Sequence, residues 1–161
     1  MAGVGNVLRA DDGFGPRAAS LIGNEELPDG VVVLETGIGG IHLVQELMKG
    51  YDALVLLDAC DRGAEPGTLF TLEPEVLDPQ SMSDRERRDY FADVHYATPV
   101  RALTMSRAVG VLPPLVRVIG CQVADATAFC EAMDSRVEQA TADAVPLVLD
   151  LIAALQRGKA A

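Results

Sequence analysis

Two carboxylates and one imidazole stand where this chain is best placed to do chemistry. Asp12 belongs to the glycine-rich stretch Gly3-Val4-Gly5-Asn6-Val7-Leu8-Arg9-Ala10-Asp11-Asp12-Gly13-Phe14-Gly15. Asp58 closes the apolar run Ala53-Leu54-Val55-Leu56-Leu57, and His95 precedes the helix-start signal Thr98-Pro99. Such a mix of oxygen and nitrogen donors suits a divalent metal with positions left open for water or substrate. A metal so held polarises a carbonyl or activates a water. Each residue also has a plainer role open to it. Asp12 would serve as a helix cap, Asp58 as a strand-end acid bonding nearby backbone, and His95 as an ordinary loop histidine. Asp11 and Asp61 are neighbouring alternatives. His42 is a weaker one, because Glu46 and Lys49 place it on a solvated helix face.

Other chemistry is thinly represented. Cys60 and Cys121 fall just beyond apolar runs, so a thiol nucleophile paired with His95 is a second possibility, set against the inert burial usual for small cysteines. Gly3 to Leu8 begins like a dinucleotide fingerprint but has Leu8 where the third glycine belongs. The cluster Arg85-Glu86-Arg87-Arg88 reads as a solvated helix face.

The elements that must position these residues follow from periodicity and punctuation. Phe14, Ala18, Leu21 and Ile22 give one helical face. Pro16 is tolerated only in a first turn, so this helix starts near Gly13 to Gly15. Asp12 then lies at a helix N-terminus, whose dipole favours an ionised carboxylate. Val31 to Leu34 reads as a buried strand. The glycine turn Glu35 to Gly40 opens a helix with Ile41, Val44, Leu47 and Met48 inward. Ala53 to Leu57, apolar without alternation, is a central strand covered on both faces. Thr68 to Leu72 is a short edge strand, and Ser83 to Asp89 a charged helical turn inside a long polar connection of the kind that is usually functional. A helix runs from Thr98 to about Gly110, and Leu115 to Gly120 is a strand. A last helix runs from about Asp134 to Leu155, with Pro146 a kink site. The order predicts one α/β domain over residues 1–161, a three-layer α/β/α sandwich around a mostly parallel twisted sheet of about five strands. In such sheets ligands bind at the carboxyl ends of the strands, which gathers Asp12, Asp58 and His95 on one rim.

Composition narrows the partners. The 161 residues are 49% hydrophobic, enough for a real core, and with 4% aromatics and no Trp that core is aliphatic. A net charge of −11 argues against nucleic acid and anionic membranes. Three scattered cysteines without a CxxC spacing point to a reducing cytoplasm, as does the lack of a leader-like segment ahead of the first motif. No apolar run reaches the ~18 residues a membrane span needs.

The ordered set of motifs resembles the maturation endopeptidases of nickel–iron (NiFe) hydrogenases. The resemblance rests on Gly3-Val4-Gly5-Asn6 with Leu8, Asp11-Asp12-Gly13 with Gly15, and the glycine turn after the second strand. It continues through Leu57-Asp58-Ala59, Pro66-Gly67-Thr68, His95 and Ile119-Gly120-Cys121-Gln122, nearly the whole chain. It implies a phosphorylase/hydrolase-like fold and a metal-dependent or aspartate-assisted hydrolase. That enzyme clips a C-terminal peptide from the nickel-loaded large-subunit precursor of a NiFe hydrogenase. It implies further that Asp12, Asp58 and His95 contact the nickel, which belongs to the substrate and is bound transiently. Where the family's second glycine turn often reads Asp-Gly-Gly-Thr, this chain has Glu35-Thr36-Gly37-Ile38, and Glu35 is assigned no role. Family members run some six apolar residues into the first loop, against Met1 and Ala2 here. The first strand is therefore expected to look truncated, with a native start upstream of Met1.

Overall fold

The computed structural model describes residues 1–92 and 98–159. Residues 93–97, and with them the predicted His95, lie outside the described residues. Five strands, β1 (Ala2–Val4), β2 (Leu34–Gly37), β3 (Ala53–Cys60), β4 (Leu69–Leu72) and β5 (Leu115–Gln122), form one sheet in the order β2-β1-β3-β5-β4. All pairings are parallel except that of edge strand β4 with β5. Helices α1 (Phe14–Gly23) and α5 (Ser135–Lys159) cover one face, and α2 (Gly40–Leu47) and α4 (Pro99–Ala108) the other. A short polar helix, α3 (Asp84–Phe91), starts at a Ser83 capping box and buries none of its residues. The expected three-layer α/β/α sandwich is what the chain forms.

β3 shows why its sequence lacks alternation. Val55 and Leu57 pack under α1 and α5, whereas Leu54 and Leu56 pack under α2 and α4, so both strand faces are dry. β3 runs three residues and β5 two beyond the predicted ends, because they pair in register along their whole lengths, from Ala53 opposite Leu115 to Cys60 opposite Gln122. Asp58 therefore lies inside β3, opposite Gly120.

Three expectations change. The predicted strand Val31 to Leu34 is displaced to Leu34–Gly37. β1 places Ala2 opposite Leu34, and before it only Met1 reaches the preceding valines, its ammonium donating to the Val32 carbonyl at 2.6 Å. Beside them lies a cavity of about 230 Å³, lined by Met1, Val31, Val32, Ala53, Val55 and Ile152 among others. On the helices, Leu21 and Met48 turn out 42% and 60% exposed, and Ala19 and Leu43 take the inward positions. The last helix, α5, contains Pro146 and runs to Lys159, past the predicted end near Leu155.

The opening loop is held by close backbone approach. A Cβ on Gly15 would collide with the carbonyl oxygens of Val4 and Leu57, and one on Gly3 with that of Gly15. Gly5 has φ +136°, and a Cβ there would strike the Asp12 carbonyl. The first turn of α1 thereby sits directly against the carboxyl ends of β1 and β3.

Candidate active site

The two adjacent acids of the loop part company in the structure. A 3₁₀ turn, Ala10–Gly13, precedes α1, and Ala10 enters it with φ 40°, a left-handed conformation unusual for alanine. Asp11 is buried, at 1% exposure, and collects three backbone N–H donors: Ala124 (2.8 Å) and Asp125 (2.9 Å) on Oδ2, and Asp134 (2.7 Å) on Oδ1. Asp12 stays half-buried, and its Oδ2 accepts the Asn6 N–H at 2.9 Å. The N-cap of α1 is Gly13, with no side-chain cap bond, so Asp12 secures its own loop rather than the helix.

Asp58 continues the Leu54, Leu56 series along β3 and is half-buried at the carboxyl end of the sheet. Burial, and then the nearby Asp12 charge, push its carboxyl up to about 7, while an N–H from Ala59 pulls the other way. The pair is thus close enough for one charge to oppose the other. Near neutral pH Asp58 is divided between a proton donor and a proton acceptor, the condition that general acid–base work requires. Unbalanced negative charge in a partly dry setting also fits a divalent cation, which would displace the Asp58 proton and relieve the repulsion. Among the described residues no three His, Cys, Asp or Glu side chains come together as a metal cluster. The predicted third contact, His95, is outside those residues.

The alternatives fall into structural roles. Asp61 is exposed, and its Oδ1 accepts from Gln122 Nε2 (3.0 Å) and from the Gly63 N–H (3.2 Å). His42 is exposed on α2, as its neighbours predicted. Burial raises the Cys60 thiol, helped by the Asp58 charge, and pushes that of buried Cys121 up to about 12. Both are therefore held protonated, the wrong state for a nucleophile. Two supporting residues were not singled out for these roles by the sequence. Gln122, buried at the end of β5, accepts the Arg62 and Ala64 N–H groups at 2.7 and 3.2 Å and so shapes the loop that follows Asp58. Asp11 anchors the β5–α5 connection. Its position beside Asp12 was the available signal, but its partners lie more than a hundred residues away.

Known proteins resemble this chain in sequence and in fold. The family model described as hydrogenase maturation protease matches residues 17–151. The hydrogenase expression/formation protein HupD of Rhizobium leguminosarum bv. viciae is 34% identical over 130 residues, covering 78% of this chain and 59% of its own. HupM of Azotobacter chroococcum is 30% identical over 154 residues, covering 95% of this chain and 70% of its own. A hydrogenase 2 maturation peptidase from a Thaumarchaeota archaeon superposes with a TM-score of 0.65 at 31% identity, over 94% of this chain and 95% of that one. The hydrogenase maturating endopeptidase HybD of E. coli gives a TM-score of 0.73 at 26% identity, over 98% and 91%. With a family match across most of its length and relatives alike in sequence and fold, the chain belongs to the hydrogenase maturation protease family.

Proposed function

We propose that this protein is an endopeptidase that removes a C-terminal peptide from the nickel-loaded large-subunit precursor of a NiFe hydrogenase. The observation that carries the proposal is the Asp12–Asp58 pair. These two carboxylates lie near each other at the carboxyl end of a parallel sheet, one of them raised to about 7 by burial and by the other's charge. Asp12, Asp58 and His95 would hold the precursor's nickel, and bound there the nickel supplies Lewis-acid polarisation to the adjoining carbonyl. Asp58 is suited to move the proton: as carboxylate it takes one from the attacking water, and as acid it returns one to the leaving amine. Asp12 is tied to its loop by the Asn6 N–H on Oδ2, and the backbone packs so closely at Gly5 and Gly15 that no side chain fits there.

A reducing cytoplasm as the site of action is supported by three free cysteines. Among the described residues no helix is long and apolar enough to cross a membrane. Asp12→Asn, Asp58→Asn and His95→Ala are each expected to fold, by circular dichroism, and to leave the nickel-loaded precursor at full length by intact mass. Cleavage by all three variants would overturn the assignment. Wild-type protein that binds the precursor without shortening it would instead indicate a non-catalytic chaperone.

A further inference from the structure

Three loops meet at the rim that carries Asp12 and Asp58, and their backbones are tied to one another. Gly5 N–H donates to the Gly37 carbonyl at 3.1 Å, Ala10 N–H to the Cys130 carbonyl at 2.7 Å, and Arg9 pairs with Cys130 in an isolated parallel bridge. Beside these ties stand large apolar side chains left in water: Val7 (44% exposed), Leu8 (43%), Ile38 (69%) and Phe129 (81%). Phe129, next to Cys130, is the most exposed large hydrophobic group among the described residues.

An aromatic this exposed, on a loop joining two elements, would ordinarily sit on mobile backbone. This loop is pinned instead. Asp11 holds it at both ends, through Ala124 and Asp125 on one side and Asp134 on the other. Asp125 braces it from within, accepting from the Thr127 N–H, the Thr127 hydroxyl and the Ala128 N–H. The Arg17 guanidinium donates to the Glu131 carbonyl from α1. A fixed, exposed aromatic loses little conformational entropy when covered, which is the usual character of a binding contact.

We infer that the β5–α5 loop is the wall against which the precursor's polypeptide lies beside the acid pair, with Phe129 its apolar contact and Asp11 the positioning residue that holds it. The inference rests on the processing function proposed above. An endopeptidase must seat chain on either side of the bond it cuts, and the exposed apolar side chains of loops tied by backbone to the segment that carries Asp12 are the surface that adjoins the acids. The occupant is therefore an apolar stretch of the precursor next to the scissile bond.

The test is steady-state cleavage of nickel-loaded precursor by the full-length protein. Phe129→Ala is expected to raise KM about tenfold with kcat within about twofold, and Phe129→Leu to recover most of the loss. Val109→Ala, at another exposed apolar side chain (52%) just past the end of α4, is expected to change neither. Asp11→Asn presents an amide N–H₂ to backbone donors. It should speed hydrogen exchange at Ala124, Asp125 and Asp134 and raise KM similarly, and Asp11→Asn/Phe129→Ala should cost no more than the larger single change. A wild-type KM in Phe129→Ala overturns the wall while leaving the processing function in place. If Asp11→Asn does not fold, the two Phe129 variants decide. Wild-type protein that cleaves no precursor overturns the processing function, and this inference with it.

Discussion

Asp58 carries a proton up to about pH 7 in the folded protein, first because it is buried and second because Asp12 is charged, whereas its ordinary value is 3.8. Between those two values the folded state binds more protons than the unfolded one. The stabilisation is therefore complete below about pH 4, is lost as pH rises toward 7, and levels off above it. Measured against Asp58→Asn, whose side chain does not titrate, wild-type stability should fall by about 1 to 2 kcal/mol between pH 4 and pH 8. That figure is well below the full linkage value because the carboxyl is only half-buried. Denaturant unfolding at a series of pH values checks it, and parallel profiles for the two proteins would count against a raised Asp58 carboxyl. At this scale the sequence was informative where partners are local. Asp12 beside glycines and Asp58 after an apolar run both announced themselves. Asp11 did not, because its three N–H donors come from Ala124, Asp125 and Asp134, and no local pattern records a bond across so long a loop.

Among the elements, the order and layering were legible because β3 is apolar on both faces and the helices carry clear apolar stripes. Boundaries were less so, since strand length depends on the neighbour. β3 and β5 extend each other to Cys60 and Gln122, while Val31 to Val33, as apolar as any strand in the chain, stay outside β2 for want of a pairing strand. Helix faces slipped by a residue where a small side chain could turn inward, as Ala19 did in place of Leu21. The glycine requirement is sharper. Gly15 lies between the carbonyls of Val4 and Leu57, so Gly15→Ala must push α1 away from two strands at once. A loss of about 2 to 4 kcal/mol is expected, visible as a lower unfolding midpoint. Gly158→Ala, where a Cβ meets nothing, should change stability little and serves as the control. Equal stability of the two variants would show that the loop does not pack as described.

The molecule as a whole has two unlike ends. At the carboxyl end of the sheet, backbone ties lock the loops around the acid pair. At the amino end, β1 begins at Ala2, Ala53 to Val55 pair among the described residues with β5 alone, and the cavity of about 230 Å³ is lined by Ala53, Val55, Val31 and Val32. Appending four or five alternating apolar residues ahead of Met1 should let the added chain pair with both flanks and bury its side chains there. The expected gain is about 1 to 3 kcal/mol, read as a higher melting temperature with protection of the Ala53 to Val55 amides from exchange. An extension that left both unchanged would mean the notch cannot take a strand. Because β1 is the stem on which the Asp12 loop grows, the notch is also a handle. A strand seated in it would brace the rim that carries Asp12 and Asp58 from behind without touching it, making this end of the sheet a place to adjust the rigidity of that rim independently of its side chains.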